Sequence, residues 1–253
     1  MISIRMETQG NNMGYRIAWS GGKDSTATVI LAHQQGIEVD SIDYVDMRYN
    51  AHISAQLPFV ADFIETASER FRQWGYKVRF LKPEKTAVDL AYQRFKRSKY
   101  DRNGLMYGCL AFMRMGCIFT KEKQNILPKH SSKCIVGIAI DEPVRLARLT
   151  NRNSISLLAY GNITEKECFD ICRKEGLLNP IYNIDCFKRD GCFFCPNSKQ
   201  SQIEYLKKHY PHHYKMALDL VRIAEPAIMA EPDGVKRCIP YSTWVKEYFN
   251  GKR

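Results

Sequence analysis

The chain has 253 residues, 45% hydrophobic and 26% charged, ordinary values for a globular protein of one large domain or one domain with an appendage. Charges interrupt every apolar run before it reaches the length of a membrane span, and the first residues, "MISIRMETQGNNMGYR", lack an apolar signal core, which argues against a membrane protein and against secretion. A formal charge of +11 favours anionic partners without choosing among them, and nine cysteines with no signal peptide point to a reducing cytoplasm, where clustered cysteines bind metal or do redox work.

In chain order, residues 15–19 read as a short strand, followed by "SGGKDST" and a helix over 24–35. Ala27, Ile30 and Leu31 form that helix's apolar face, and Gly36 is its stop. Residues 37–47 are a second strand. Pro58 opens an amphipathic helix in which Val60, Phe63, Ile64, Ala67, Phe71 and Trp74 recur at helical spacing up to Gly75. A strand is predicted over 76–82, a helix over 86–97, and a buried strand over the apolar run 133–140. Thr164 and Glu167 have the spacing of a capping box before a short helix ending near Gly176. Residues 179–197 form a loop with three cysteines, and helices over 201–210 and 213–224 are separated by Pro211.

Strands alternating with helices predict an α/β fold, a Rossmann-like parallel sheet with helices on both faces. This part extends over residues 1–160. A helical, cysteine-bearing part occupies 161–253, and the two can be one continuous body. Ligands of such sheets bind at the carboxyl ends of the strands. Residues 20–25, Asp46 and residues 141–148 all follow predicted strands at that edge.

The loop itself predicts an anion cradle. The backbone N–H groups of Gly21, Gly22, Lys23 and Asp24 would lie at a helix N-terminus, where unpaired donors and the helix dipole favour negative charge. Glycine lets backbone approach phosphate oxygens, Ser20 and Ser25 add hydroxyls, and Lys23 adds a point charge. Asp24 would cap the helix or help to hold magnesium. The spacing fits neither GxxxxGK[ST] nor GxGxxG. The loop resembles that of the PP-loop ATP pyrophosphatases, SGGxDS, at Ser20, Gly21, Gly22, Asp24 and Ser25. The resemblance implies an adenine nucleotide α-hydrolase-like fold, ATP or a related adenine nucleotide as ligand, and cleavage between the α- and β-phosphates.

Later segments are similar to the phosphoadenosine phosphosulfate (PAPS) reductase branch of that group, in the same order along the chain. They are "YVDM" (44–47), "RMGCIFTKEK" (114–123), "GIAIDEPVRLAR" (137–148) and "NPIYNIDCFKRDGCFFCP" (179–196). Glu142 and Arg145 match the third of these, while Ala139 and Pro143 replace an arginine and a serine. The C-terminal Glu-Cys-Gly-His tail of the reductases is missing. Cys238, beside Lys236 and Arg237, is therefore read as structural or incidental.

Cys192-x-x-Cys195 is a bidentate metal clip with Cys186 upstream. Tetrahedral zinc or a [4Fe–4S] cluster needs a fourth thiolate. The resemblance implies Cys117, with Cys109 in reserve, and a redox CxxC is the remaining alternative. His209, His212 and His213 are assigned to the surface, and Cys134, Cys168 and Cys172 to packing. Arg145 and Arg148 would clamp a phosphate. The basic and aromatic stretch 92–108 reads as an exposed helix end and loop, with nucleic acid as the alternative.

The expected function is therefore that of a cytoplasmic enzyme that adenylates an acceptor, a small molecule or a nucleic-acid base, and releases pyrophosphate. Lys23, Asp24 and Arg145 would carry the catalysis. Sulfur transfer from a sulfur donor would follow. The alternatives are a sulfonucleotide reductase served by a thioredoxin-like reductant, and a nucleic-acid-binding or nucleotide-sensing module.

Overall fold

The computed structural model describes residues 14–92, 134–149, 154–229 and 243–251, with short pieces between 95 and 127. The chain forms two compact units, each assembled from three stretches: Met1–Val45, Phe59–Lys82 and Asn125–Ile184 in the first; Asp46–Pro58, Pro83–Gln124 and Asp185–Arg253 in the second.

The first unit is an α/β fold built on a five-stranded parallel sheet. Its strands are β1 (Arg16–Trp19), β2 (Ser41–Val45), β3 (Val78–Leu81), β6 (Cys134–Val136) and β7 (Ser154–Ile155), in the order β3-β2-β1-β6-β7. Parallel pairing sets Ile17 beside Ile42 and Ile135. Side chains alternate across a strand. One set, Ile17, Trp19, Ile42, Tyr44 and Ile135, shares a core with helices α1 (Lys23–Gln34), α2 (Pro58–Gln73), α5 (Leu157–Tyr160) and α6 (Glu165–Lys174). Trp19 lies 5.0 Å from Phe71 and 5.4 Å from Tyr44 between ring centroids. The alternate set carries a charged cluster. Asp43 is buried and accepts from Arg16 at 2.9 Å and from Arg79 at 2.6 and 2.7 Å. This cluster ties β1, β2 and β3 together.

Glycine stops and caps fall where the sequence predicts them. Gly36, Gly75 and Gly176 all have positive φ. Thr164 and Glu167 form the reciprocal capping box of α6. Several elements differ from the expectation in extent, two of them most clearly. The apolar run 133–140 is strand only over Cys134–Val136, because Gly137 abuts helix α1 and Ile140 N–H then bonds Ile163 O at 2.9 Å. Helix α3 covers Ala87–Tyr92, not 86–97, and residues Phe95–Lys96 (β4) pair with Met106–Tyr107 (β5) as an antiparallel ladder.

The second unit packs α3 with α7 (Gln200–His209), α8 (Pro211–Met229) and α9 (Thr243–Asn250). Pro211 is the first residue of α8, a position that needs no N–H.

Candidate functional site

The loop between β1 and α1 is built from inside. Gly21 has φ +81°, a left-handed conformation that a side chain disfavours. Ser25 Oγ donates to Gly22 O at 3.0 Å and accepts from Ser20 N–H at 3.1 Å, and the two serine hydroxyls are 3.1 Å apart. Helix α1 starts at Lys23, and Thr26 N–H bonds Gly22 O at 3.0 Å.

Three residues outside the loop hold it in place, and their roles are not legible in the sequence. The Asn179 amide, 1% exposed, donates to Gly21 O at 3.0 Å while its oxygen accepts from Ile181 N–H at 3.0 Å. The Tyr182 hydroxyl accepts from Lys23 N–H at 3.2 Å. Both belong to the stretch "NPIY", so the resemblance marks the segment but not its task. The third is Gly137: a Cβ there would lie 2.5 Å from Ser25 N and 2.6 Å from Asp24 C. Only a glycine lets β6 approach the first turn of α1 so closely.

Lys23 is buried and engaged by side chains. Its buried ammonium contacts both carboxylate oxygens of Asp24 at 2.8 and 3.0 Å and Glu165 at 3.4 Å, and it lies 5.3 Å above the Phe169 ring. Burial lowers its pKa, but Asp24, Glu165 and Tyr182 outweigh burial and hold it above the usual lysine value. Asp24, Glu142 and Glu165 bring carboxylate oxygens within 4.8 Å of one another. Glu142 is also paired with Arg145, at the start of the short helix α4 (Pro143–Leu146). The Arg145–Glu142 pair therefore lies close to Asp24. Arg148 is exposed, and its N–H bonds Arg145 O at 3.2 Å. Asp141 caps α6, accepting from Glu165 N–H at 3.0 Å.

Cys168 and Cys172 are fully buried against this turn. Cys172 donates to Lys23 O at 3.3 Å. Burial, then the Asp24 charge, pushes the Cys172 thiol up to about 12 and raises Cys168 as well, so both stay protonated donors.

In the second unit, Asp46 follows β2 and its carboxylate accepts from Arg48 at 3.1 Å. The Cys192–Cys195 turn is held from several sides. Cys195 N–H bonds Cys192 O at 2.9 Å, and Phe193 N–H bonds Ala55 O at 2.9 Å. Trp244, itself buried, donates to Cys195 O at 3.1 Å. Phe193 and Phe194, the two residues between the cysteines, are buried, and Cys186 lies half-buried upstream. Cys117, Cys109 and Cys238 lie outside the described residues, as does most of 92–108.

No protein-family model matches the chain. No curated protein matches it. Among solved structures it is similar to the U34-tRNA thiolase NcsA from Methanococcus maripaludis with its [4Fe–4S] cluster, at 15% identity over 92% of this chain and 78% of that one, with a TM-score of 0.46.

Proposed function

We propose that this chain is a PP-loop enzyme of the PAPS-reductase-like type that binds ATP or a related adenine nucleotide and acts at its α–β phosphate linkage, adenylating an acceptor and releasing pyrophosphate. The observation that carries this reading is the loop at residues 20–25. Its glycines and the first amides of a 12-residue helix sit at the carboxyl end of the central strand β1, which is where such sheets bind anions.

In this reading the backbone amides of Gly21, Gly22, Lys23 and Asp24 and the hydroxyls of Ser20 and Ser25 receive the phosphates. Asn179 and Tyr182 keep the amides aimed. Three neighbouring carboxylates suit a hard cation that takes oxygen ligands, so Asp24, Glu142 and Glu165 would hold magnesium. Lys23 organises these carboxylates. Arg145, released from Glu142, and Arg148 meet the negative charge that grows on the departing pyrophosphate. Rate enhancement then comes from positioning and fixed positive charge. Asp46 is assigned to nucleotide binding.

Two thiols on one braced turn suit a soft metal, so Cys192 and Cys195, with Cys186 and Cys117, would hold a [4Fe–4S] cluster or zinc. When bound, such a group offers a site for sulfur chemistry or a structural clip.

Calorimetric titration with ATP and magnesium tests the reading. Saturable binding that is lost in Ser25→Ala and Gly21→Val supports it. Absence of binding by ATP and by sulfonucleotides, with the fold intact, ends it. Iron and zinc analysis of protein purified without air tests the cysteine assignment, with metal content falling in Cys192→Ser.

A further inference from the structure

We propose that the second unit carries a binding surface for single-stranded nucleic acid, where the end of α7 meets the start of α8. The inference goes beyond the nucleotide site of the first unit and does not depend on it.

The surface begins with composition. Residues 205–215, "YLKKHYPHHYK", hold three lysines, three histidines and three tyrosines and no acidic residue. Tyr205, His209, Tyr210 and His213, with Phe187, form a connected run of rings. Tyr205 and His209 lie 4.5 Å apart with planes 32° apart, an offset stack, and Tyr205 also meets Phe187 at 5.5 Å and Tyr210 at 6.1 Å. Tyr210 continues to His213 at 5.9 Å. His209, which stacks on Tyr205, is exposed. Cations flank the rings: Lys208 is exposed beside His209, and Lys188 and Arg189 are exposed next to Phe187.

Glu247 engages Lys207 and Tyr214, which leaves the rings from Phe187 to His213 beside the exposed Lys188, Arg189 and Lys208. Rings set beside exposed cations match a flexible strand of bases joined by phosphates. An acidic peptide would use the cations and leave the rings idle. A membrane surface would need long aliphatic groups on the same face; residues 207–215 hold none, and Leu206 and Met216 on either side are buried. The residues contributed by helix α7 appear at i and i+4, Tyr205 and His209, so the stack follows from helical geometry and not from a chance rotamer.

The test is fluorescence anisotropy with a labelled oligouridylate of about 15 nucleotides, read at about 50 and about 200 mM salt. Wild-type protein is expected to bind, with log K falling linearly against log salt. The triple variant Lys188→Ala, Arg189→Ala, Lys208→Ala should bind at least about tenfold more weakly and lose about two units of salt slope, since each phosphate contact contributes about 0.7. His209→Ala should weaken binding about tenfold at unchanged slope, because a lost stacking partner carries no phosphate contact. Arg72→Ala with Lys77→Ala removes two exposed cations from the first unit and should leave binding unchanged. All substituted residues are exposed, and circular dichroism confirms folding. No binding by wild-type protein, an equal loss in the Arg72/Lys77 control, or tighter binding to phosphatidylserine vesicles than to the oligonucleotide overturns the proposal. ATP calorimetry is run on the same variants, so failure here and failure of the nucleotide reading are separately visible.

Discussion

Replacing Gly137 by alanine tests the packing beneath the loop most directly. The added methyl would stand 2.5 Å from Ser25 N, 2.6 Å from Asp24 C and 2.7 Å from Ser25 Cα. Carbon contacts are comfortable at about 3.5 Å, so strand and helix must separate by about 1 Å. All three atoms are backbone, so no rotamer change relieves the clash. Overpacking of this kind costs about 1–3 kcal/mol, a fall of roughly 2–10 °C in Tm for a chain of this size. The same displacement tilts the amides that would receive phosphate, and about 1 Å of misplacement is worth about a hundredfold in a positioned reaction. Thermal melting reads the first effect, and nucleotide calorimetry with pyrophosphate release reads the second. Gly137→Ala with wild-type Tm and wild-type nucleotide affinity would refute the claim that β6 and α1 need this contact.

Three further perturbations have defined outcomes. Asn179→Ala strands Gly21 O and Ile181 N–H in a buried setting, a loss of about 1–3 kcal/mol for each unpaired group, read by urea denaturation; a loss below about 0.5 kcal/mol would contradict the buttress. Asp43→Asn addresses pH. Burial would raise the Asp43 pKa, but hydrogen bonds from Arg79 and Ser41 and the charges of Arg79 and Arg16 hold it below the ordinary 3.8. Its contribution is therefore complete above that value and lost as pH falls through the lower folded-state pKa. Breaking such a buried cluster costs about 3–5 kcal/mol near neutrality, and the variant should lack this part of the acid-unfolding limb below about pH 4. Lys23→Met leaves Asp24 and Glu165, which lie beside Glu142, without their buried cation. We expect lower stability at low ionic strength, partly recovered by added magnesium; a melting temperature insensitive to magnesium would count against a shared cation position.

Local chemistry is legible in the sequence because it acts over a few residues. The turn of α1 after Trp19, the Thr164–Glu167 box and the glycine stops at 36, 75 and 176 each follow from neighbours along the chain. The apolar run 133–140 predicts too long a strand because apolar character persists to Ile140, whereas pairing ends at Val136, where Gly137 turns toward α1. The partners of Lys23 are only half visible: Asp24 is its neighbour in the chain, whereas Glu165 is 142 positions away on α6. The charged cluster on Asp43 is hidden for a similar reason: its partners lie 27 and 36 residues away on two other strands. Asn179 and Tyr182 are visible as part of a motif, but a side chain that bonds a carbonyl across the fold leaves no periodic trace.

The bond from Asn179 to Gly21 spans 158 residues, which sets a schedule for synthesis. At about 5–20 residues per second, the ribosome finishes the loop roughly 8–30 s before it makes the amide that braces it. During that interval the nascent chain carries a glycine-rich turn with no buttress, and neither β6 nor α6 exists to cover helix α1. Under the proposed function, nucleotide could not assist this early stage, because the loop is braced only after residue 182 has left the tunnel. Variants that weaken the brace should therefore reduce yield in fast-growing cells more than their equilibrium stability in the test tube suggests.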